Sequence, residues 1–118
     1  MDFIMNEYVQ HIIERLNELP NLLFDKRMEY QKYCRRIQEI KLEISKIEVD
    51  LYNNDQIEVR NELTRTASIL PHTQELHEHL ISIEYSAQKK KHEYDLLKHE
   101  MENLRCIGQL LISRGESI

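Results

Sequence analysis

The chain has 118 residues, a formal net charge of −5, two glycines and two prolines, and 31% of its residues are charged. That length holds one domain, and so few breakers among so many charged helix formers exclude a sheet protein, which needs turns. No apolar run approaches the roughly 20 residues of a membrane span, and the acidic balance opposes capture of nucleic acid by net charge alone.

Residues 1–20 form a first amphipathic helix. Met5, Val9, Ile12, Leu16 and Leu19 step by four and three, and Asp2 sits where a helix N-terminus favours negative charge. No basic segment precedes the apolar residues, so no secretory signal is read here. Pro20 is expected to end this helix, because it removes a donor and biases the residue before it away from helix. Asn21 can then cap a second helix over 22–52. Its organising feature is Tyr30, Tyr33, Ile37, Ile40, Ile44, Ile47 and Leu51. These are the a and d stops of an unbroken heptad repeat, and a 3.5-residue period keeps one face turned toward a partner helix.

Asn53, Asn54 and Asp55 favour turn conformations and are expected to stop that helix. Residues 53–72 read as a connector. Ile57, Val59, Leu63, Ala67, Ile69 and Leu70 fit neither helical nor strand period, with a short helix expected through Leu63 and Pro71 closing the segment. Thr73 can cap a third helix over 73–114, with Glu75 in its first turn. Its seam runs Leu76, Leu80, Ile83, Ala87, Lys90, Tyr94, Leu97, Met101, Leu104, Gly108 and Leu111, and Arg114-Gly115 supplies a stop. The fold expected is all-α: a long helical hairpin with coiled-coil heptad seams plus a short N-terminal helix. Isoleucine at both a and d favours assemblies larger than a dimer, and so thin a hairpin buries little alone, so a homo-oligomer is expected.

Cys34 and Cys106 stand alone, as suits a reducing cytoplasm. His77 and His79 are two apart and face different sides of a helix. His92, His99 and Cys106 recur every seven residues, about 10.5 Å apart along the axis, too far for one metal ion. No nucleotide-binding or hydrolase motif is present, so neither enzyme nor cofactor is expected. The basic residues are more suggestive. Residues 22–51 hold seven basic side chains against six acidic ones. Lys26 and Arg27 precede Lys32, Arg35 and Arg36, which share a helical face and can track phosphates. Glu29 and Glu39 offset part of this charge, and Lys89, Lys90 and Lys91 form a second knot. Lys90 interrupts the seam at a d stop, where a charge sets register or reaches outward on its aliphatic stem.

From Lys26 to Gly115 the layout resembles the UvsY recombination-mediator family of tailed phages. The likeness rests on three pieces. They are the charged helix closing at Leu51-Tyr52-Asn53-Asn54-Asp55, the connector carrying Leu63 to Leu70, and the ending Leu110-Leu111-Ile112-Ser113-Arg114-Gly115. The resemblance implies a small all-α oligomer that binds single-stranded DNA and helps load a recombinase onto strands covered by single-strand-binding protein. It implies no catalytic residue, and assembly through Leu97, Met101, Leu104 and Leu111. Members are basic just before the helix end, whereas this chain has Glu48 and Asp50, with Lys46 the nearest cation. Contact with DNA would therefore shift to Lys26, Arg27, Lys32, Arg35, Arg36 and Lys41. The rival expectation is a coiled-coil module that binds protein alone, as an assembly chaperone, adaptor or host-factor inhibitor.

Overall fold

The computed structural model describes residues 2–57 and 60–116, and the side chains of residues 4–57 and 60–114. Two α-helices, α1 (Asp2–Asn53) and α2 (Glu62–Glu116), form a helical hairpin. No strand occurs among the described residues. The expected contribution of the Asp2 side chain and the place of Val59 lie outside the described residues.

Both prolines sit inside helices rather than between them. The break expected at Pro20 is absent, and so is the separate N-terminal helix. The reason lies in the apolar phase. Leu16, Leu19 and Leu23 continue through Lys26 to Tyr30 with steps of three and four, so the heptad count before Pro20 is the count after it. A helix kept in phase buries Leu19 and Leu23 together, and packing of a continuous face outweighs one residue's poor propensity. Pro20 is exposed, so the carbonyl that loses its intrahelical donor can turn to water. Pro71 is likewise exposed, between seam positions Ile69 and Thr73.

The connector is accordingly much shorter than residues 53–72. Asn53 is the last residue of α1, and Asp55 follows with a φ of 55°. The Gln56 amide donates to the Leu51 carbonyl at 2.9 Å and the Asp55 amide to the Tyr52 carbonyl at 3.2 Å. This is a Schellman closure, with the aspartate in the left-handed region that glycine more often fills. Asn61 begins α2. Its side-chain oxygen accepts from the Thr64 amide at 2.9 Å, and the Thr64 hydroxyl lies 3.3 Å from the Asn61 amide. That reciprocal pair satisfies two donors that a helix start would leave open. Thr73 is therefore not a cap. It is buried within the seam, 1% exposed, with its hydroxyl donating to the Ile69 carbonyl at 3.4 Å. At the far end α2 passes through Gly115 to Glu116 instead of stopping at Arg114-Gly115.

The hairpin comprises two packing units. In the unit of Met1–Glu29 and Lys89–Ile118, Ile12, Leu19 and Leu23 are buried. Tyr94, Leu97, Met101, Leu104 and Leu111 face them partly buried. The helices run antiparallel here, since Arg15 meets Glu100 whereas the later Lys26 meets the earlier Glu93. In the unit of Tyr30–Gln88, Ile40, Ile44 and Leu51 are buried from α1, and Thr73 and Ala87 from α2. Tyr30, Tyr33, Ile37, Ile47, Leu76, Leu80 and Ile83 are partly buried around them. Each core is one seam wide.

Candidate nucleic-acid interface and assembly surface

Among the described residues of the Met1–Glu29 and Lys89–Ile118 unit, the charged side chains of Arg15, Glu18, Lys26, Glu29, Lys90, Glu93 and Glu100 engage one another. Lys26 and Lys90 both occupy seam positions, and each is answered from the opposite helix. Lys26 Nζ lies 3.0 Å from Glu93 Oε2, and Lys90 Nζ lies 3.3 Å from Glu29 Oε2. Contacts of 3.7 Å (Lys26 to Glu29) and 3.4 Å (Lys90 to Glu93) close the four into a ring. Glu29 Oε2 is shut off from solvent without a well-aligned hydrogen bond, so the two ammonium groups compensate it by charge alone. Glu29 first, and then Glu93, hold the Lys90 ammonium above its ordinary value of 10.5. Two cations at seam stops admit the register that meets both carboxylates and disfavour slipped ones.

Nearer the start of α1, Arg15 clasps Glu100 with both ends of its guanidinium. Nε donates to Oε2 at 2.5 Å and Nη2 to Oε1 at 2.9 Å. These bonds raise Arg15 and hold Glu100 below its ordinary 4.5, and Lys26 does the same for Glu93. A carboxylate with a lowered folded-state pKa gives stability that is complete above its unfolded value and lost as pH falls through the folded value. Urea unfolding should therefore show weaker folding at about pH 3 than at neutral pH. The variant Arg15→Met should narrow that difference, and an unchanged difference would remove Arg15 from the account of acid sensitivity.

The sequence grouped Lys26 with Arg27, Lys32, Arg35, Arg36, Lys41 and Lys46 as cations for a nucleic-acid strand. The geometry divides them. Lys26 belongs to the ionic ring, and Arg36 Nη1 bonds Glu39 Oε2 at 3.3 Å on its own helix. Arg27 is exposed in the first unit. In the second unit Lys32, Arg35, Lys41 and Lys46 are exposed and hold no carboxylate partner among the described residues. Lys32, Arg35 and Lys46 lie on the side of α1 opposite the seam, and Lys41 flanks the seam. Tyr52, one of the aromatic side chains suited to stacking, is 64% exposed at the end of the same helix. Tyr30 and Tyr33 face the core side, and a side-chain bond to Cys34 pushes the Tyr30 phenol up.

A second surface went unread in the sequence. At the start of α1 and the end of α2, apolar residues spread beyond the a and d stops. Ile4, Tyr8 and Ile13 are exposed on α1, and Leu110 and Ile112 on α2. Tyr8 and Ile13 occupy the g and e positions flanking the seam, and Ile112 another e position. A stripe that wide suits packing against more than one helix. At Gly108, the glycine of that seam, an added Cβ would meet nothing within 4 Å. The signal was the identity of the e and g residues, which charge dominates elsewhere in both helices.

Cys34 and Cys106 are free thiols. Among the described residues no three His, Cys, Asp or Glu side chains converge as metal ligands, and no helix is long and apolar enough to cross a membrane. Pro71, His72, Glu75 and His79 line an open groove along α2 with no enclosed apolar floor. No protein family, curated protein or solved structure matches this chain.

Proposed function

We propose that this chain is a non-enzymatic accessory protein of phage-type recombination or replication, an oligomer that holds single-stranded DNA and helps load a recombinase. The observation that supports strand binding is the set of exposed cations Lys32, Arg35, Lys41 and Lys46 on one helix, without a carboxylate partner among the described residues. Cations without carboxylate partners can exchange their counterions for backbone phosphates, and an exposed aromatic such as Tyr52 adds stacking that tolerates any base. Of the three pieces of the likeness to the mediator family, the close of α1 at Leu51 to Asp55 supports the same reading, whereas Leu63 to Leu70 lie within α2 and α2 continues past Gly115. Loading needs no reacting group. It needs one body that touches strand and protein together.

The test is the paired variant Lys32→Gln/Arg35→Gln with a labelled oligo-dT strand. Loss of two phosphate contacts should weaken binding and flatten the dependence of log K on log salt by about 1.4, with helicity unchanged. Equal affinity and slope in the variant and the parent would contradict the assignment of these residues.

The second reading is a coiled-coil module that binds protein alone, and the broad apolar stripe at Ile4, Tyr8, Ile13, Leu110 and Ile112 favours it. Both readings use that stripe for self-assembly, so light scattering tests a shared step. An oligomer is expected at micromolar concentration, and Ile13→Glu/Ile112→Glu should reduce it toward monomer without loss of helicity. A monomeric parent protein would contradict assembly under either reading.

A further inference from the structure

α1 carries a second seam, on the side opposite its core. Leu42, Ser45, Val49 and Tyr52 follow one another at steps of three, four and three. Leu42 and Val49 are each 56% exposed. With Lys46 and Asp50 they and Ser45 line a shallow groove along the helix. Exposed residues repeating at coiled-coil spacing form a face that one further helix can cover.

The charges beside this face say which helix. On one flank lie Glu39 and Lys46, and on the other Lys41 and Glu48. Along each flank the sign reverses after seven residues, so the stretch is complementary to its own reverse. An antiparallel second copy, placed with its Ser45 against Leu42 and its Gln38 against Val49, brings Lys46 of the second copy to Glu39. It also brings Glu48 of the second copy to Lys41. A two-fold axis repeats both pairs. Sliding the copies by one heptad sets Lys46 against Lys46 and Glu48 against Glu48. A parallel arrangement sets Lys41 beside Lys46. Both alternatives place like charges together, so the flanks select one direction and one register.

We infer that the outer face of α1 between Arg35 and Tyr52 docks antiparallel on the same face of a second copy of this chain. This contact is separate from the apolar stripe at the start of α1 and the end of α2, so the two together can extend assembly beyond a dimer. The pairing occupies Lys41 and Lys46. On this face a second copy and a DNA strand therefore exclude each other, whereas Lys32 lies outside the pairing and stays available to a strand when the second copy is docked.

Zero-length carbodiimide cross-linking of the full chain tests the contact, with unlabelled and ¹⁵N-labelled protein mixed and no DNA present. Links between light and heavy chains are expected at Glu39–Lys46 and at Lys41–Glu48. Within one helix these partners are about 10.5 Å apart along the axis, and the isotope mixture separates any such internal link. Lys46→Glu should lower the yield of the first link about tenfold by replacing attraction with repulsion. The double variant Glu39→Lys/Lys46→Glu should restore a link between positions 39 and 46, with circular dichroism confirming helix in each protein. Heavy–light links only at other residues, or no recovery in the double variant, would overturn the inference. Because the experiment contains no nucleic acid, its failure leaves strand binding standing, and a failure of strand binding leaves this contact standing.

Discussion

Shortening Ile40 to alanine is expected to destabilise the fold by about 2–5 kcal/mol, the range for truncating a buried aliphatic side chain. Ile40 is 0% exposed in a core only one seam wide. Its neighbours along α1 are Ile44, which is buried, and Ile37, which is partly so. A two-helix core has few side chains able to move into a void, so the cavity term should persist in full. Ile81→Ala, in the same unit at a position 68% exposed on α2, supplies the control and should change stability by less than about 1 kcal/mol. Urea midpoints at equal protein concentration separate the two. Equal losses at both positions would mean that the face carrying Ile40 is not the core.

Replacing Pro20 by alanine should raise stability, by up to about 3 kcal/mol, the difference between the two residues inside a helix. The gain has two sources in the structure. Alanine restores the amide that Pro20 lacks toward the Leu16 carbonyl, and the exposed position demands no side-chain packing. Had Pro20 marked a turn between two helices, the same change would lengthen the unfolded chain's repertoire and destabilise the protein. The thermal midpoint and the mean residue ellipticity at 222 nm are expected to rise together. A lower midpoint would restore the break at Pro20 that the amino-acid pattern first suggests.

The seam was legible because seven successive apolar stops from Tyr30 to Leu51 leave no second phase to choose. The hairpin followed from that seam and its counterpart from Leu76 to Leu111. The helix stop at Asn53-Asn54-Asp55 was legible too, although the particular device, Asp55 in a left-handed conformation, needs coordinates to see. What local reasoning misplaced were the two prolines and Thr73. Propensity weighs each residue alone, whereas the heptad phase running from Leu16 to Tyr30 and from Ile69 to Leu76 joins the segments across them. Counting through each proline would have shown this. So would Asn61 and Thr64, whose spacing forms the capping pair that starts α2.

The candidate site was legible only in part, since charge in a sequence does not show its partner. Lys26 and Lys32 look alike on paper. One faces Glu93 across the seam and the other faces solvent, a difference set by which residue of an opposing helix stands 3.0 Å away. Lys90 shows the same limit. Its place at a d stop marked it as unusual, and the structure supplies Glu29 and Glu93 as the reason a charge is held there.

The most direct test of strand binding is the anisotropy of a labelled oligo-dT strand titrated with the unaltered protein at low and then moderate salt. Four phosphate contacts, one each from Lys32, Arg35, Lys41 and Lys46, predict a slope of log K against log salt near −2.8, from about −0.7 per contact on single strands. A helical, folded protein that leaves the strand's anisotropy unchanged at low salt would contradict that account, and the exposed faces of α1 and α2 would then be surfaces for protein alone.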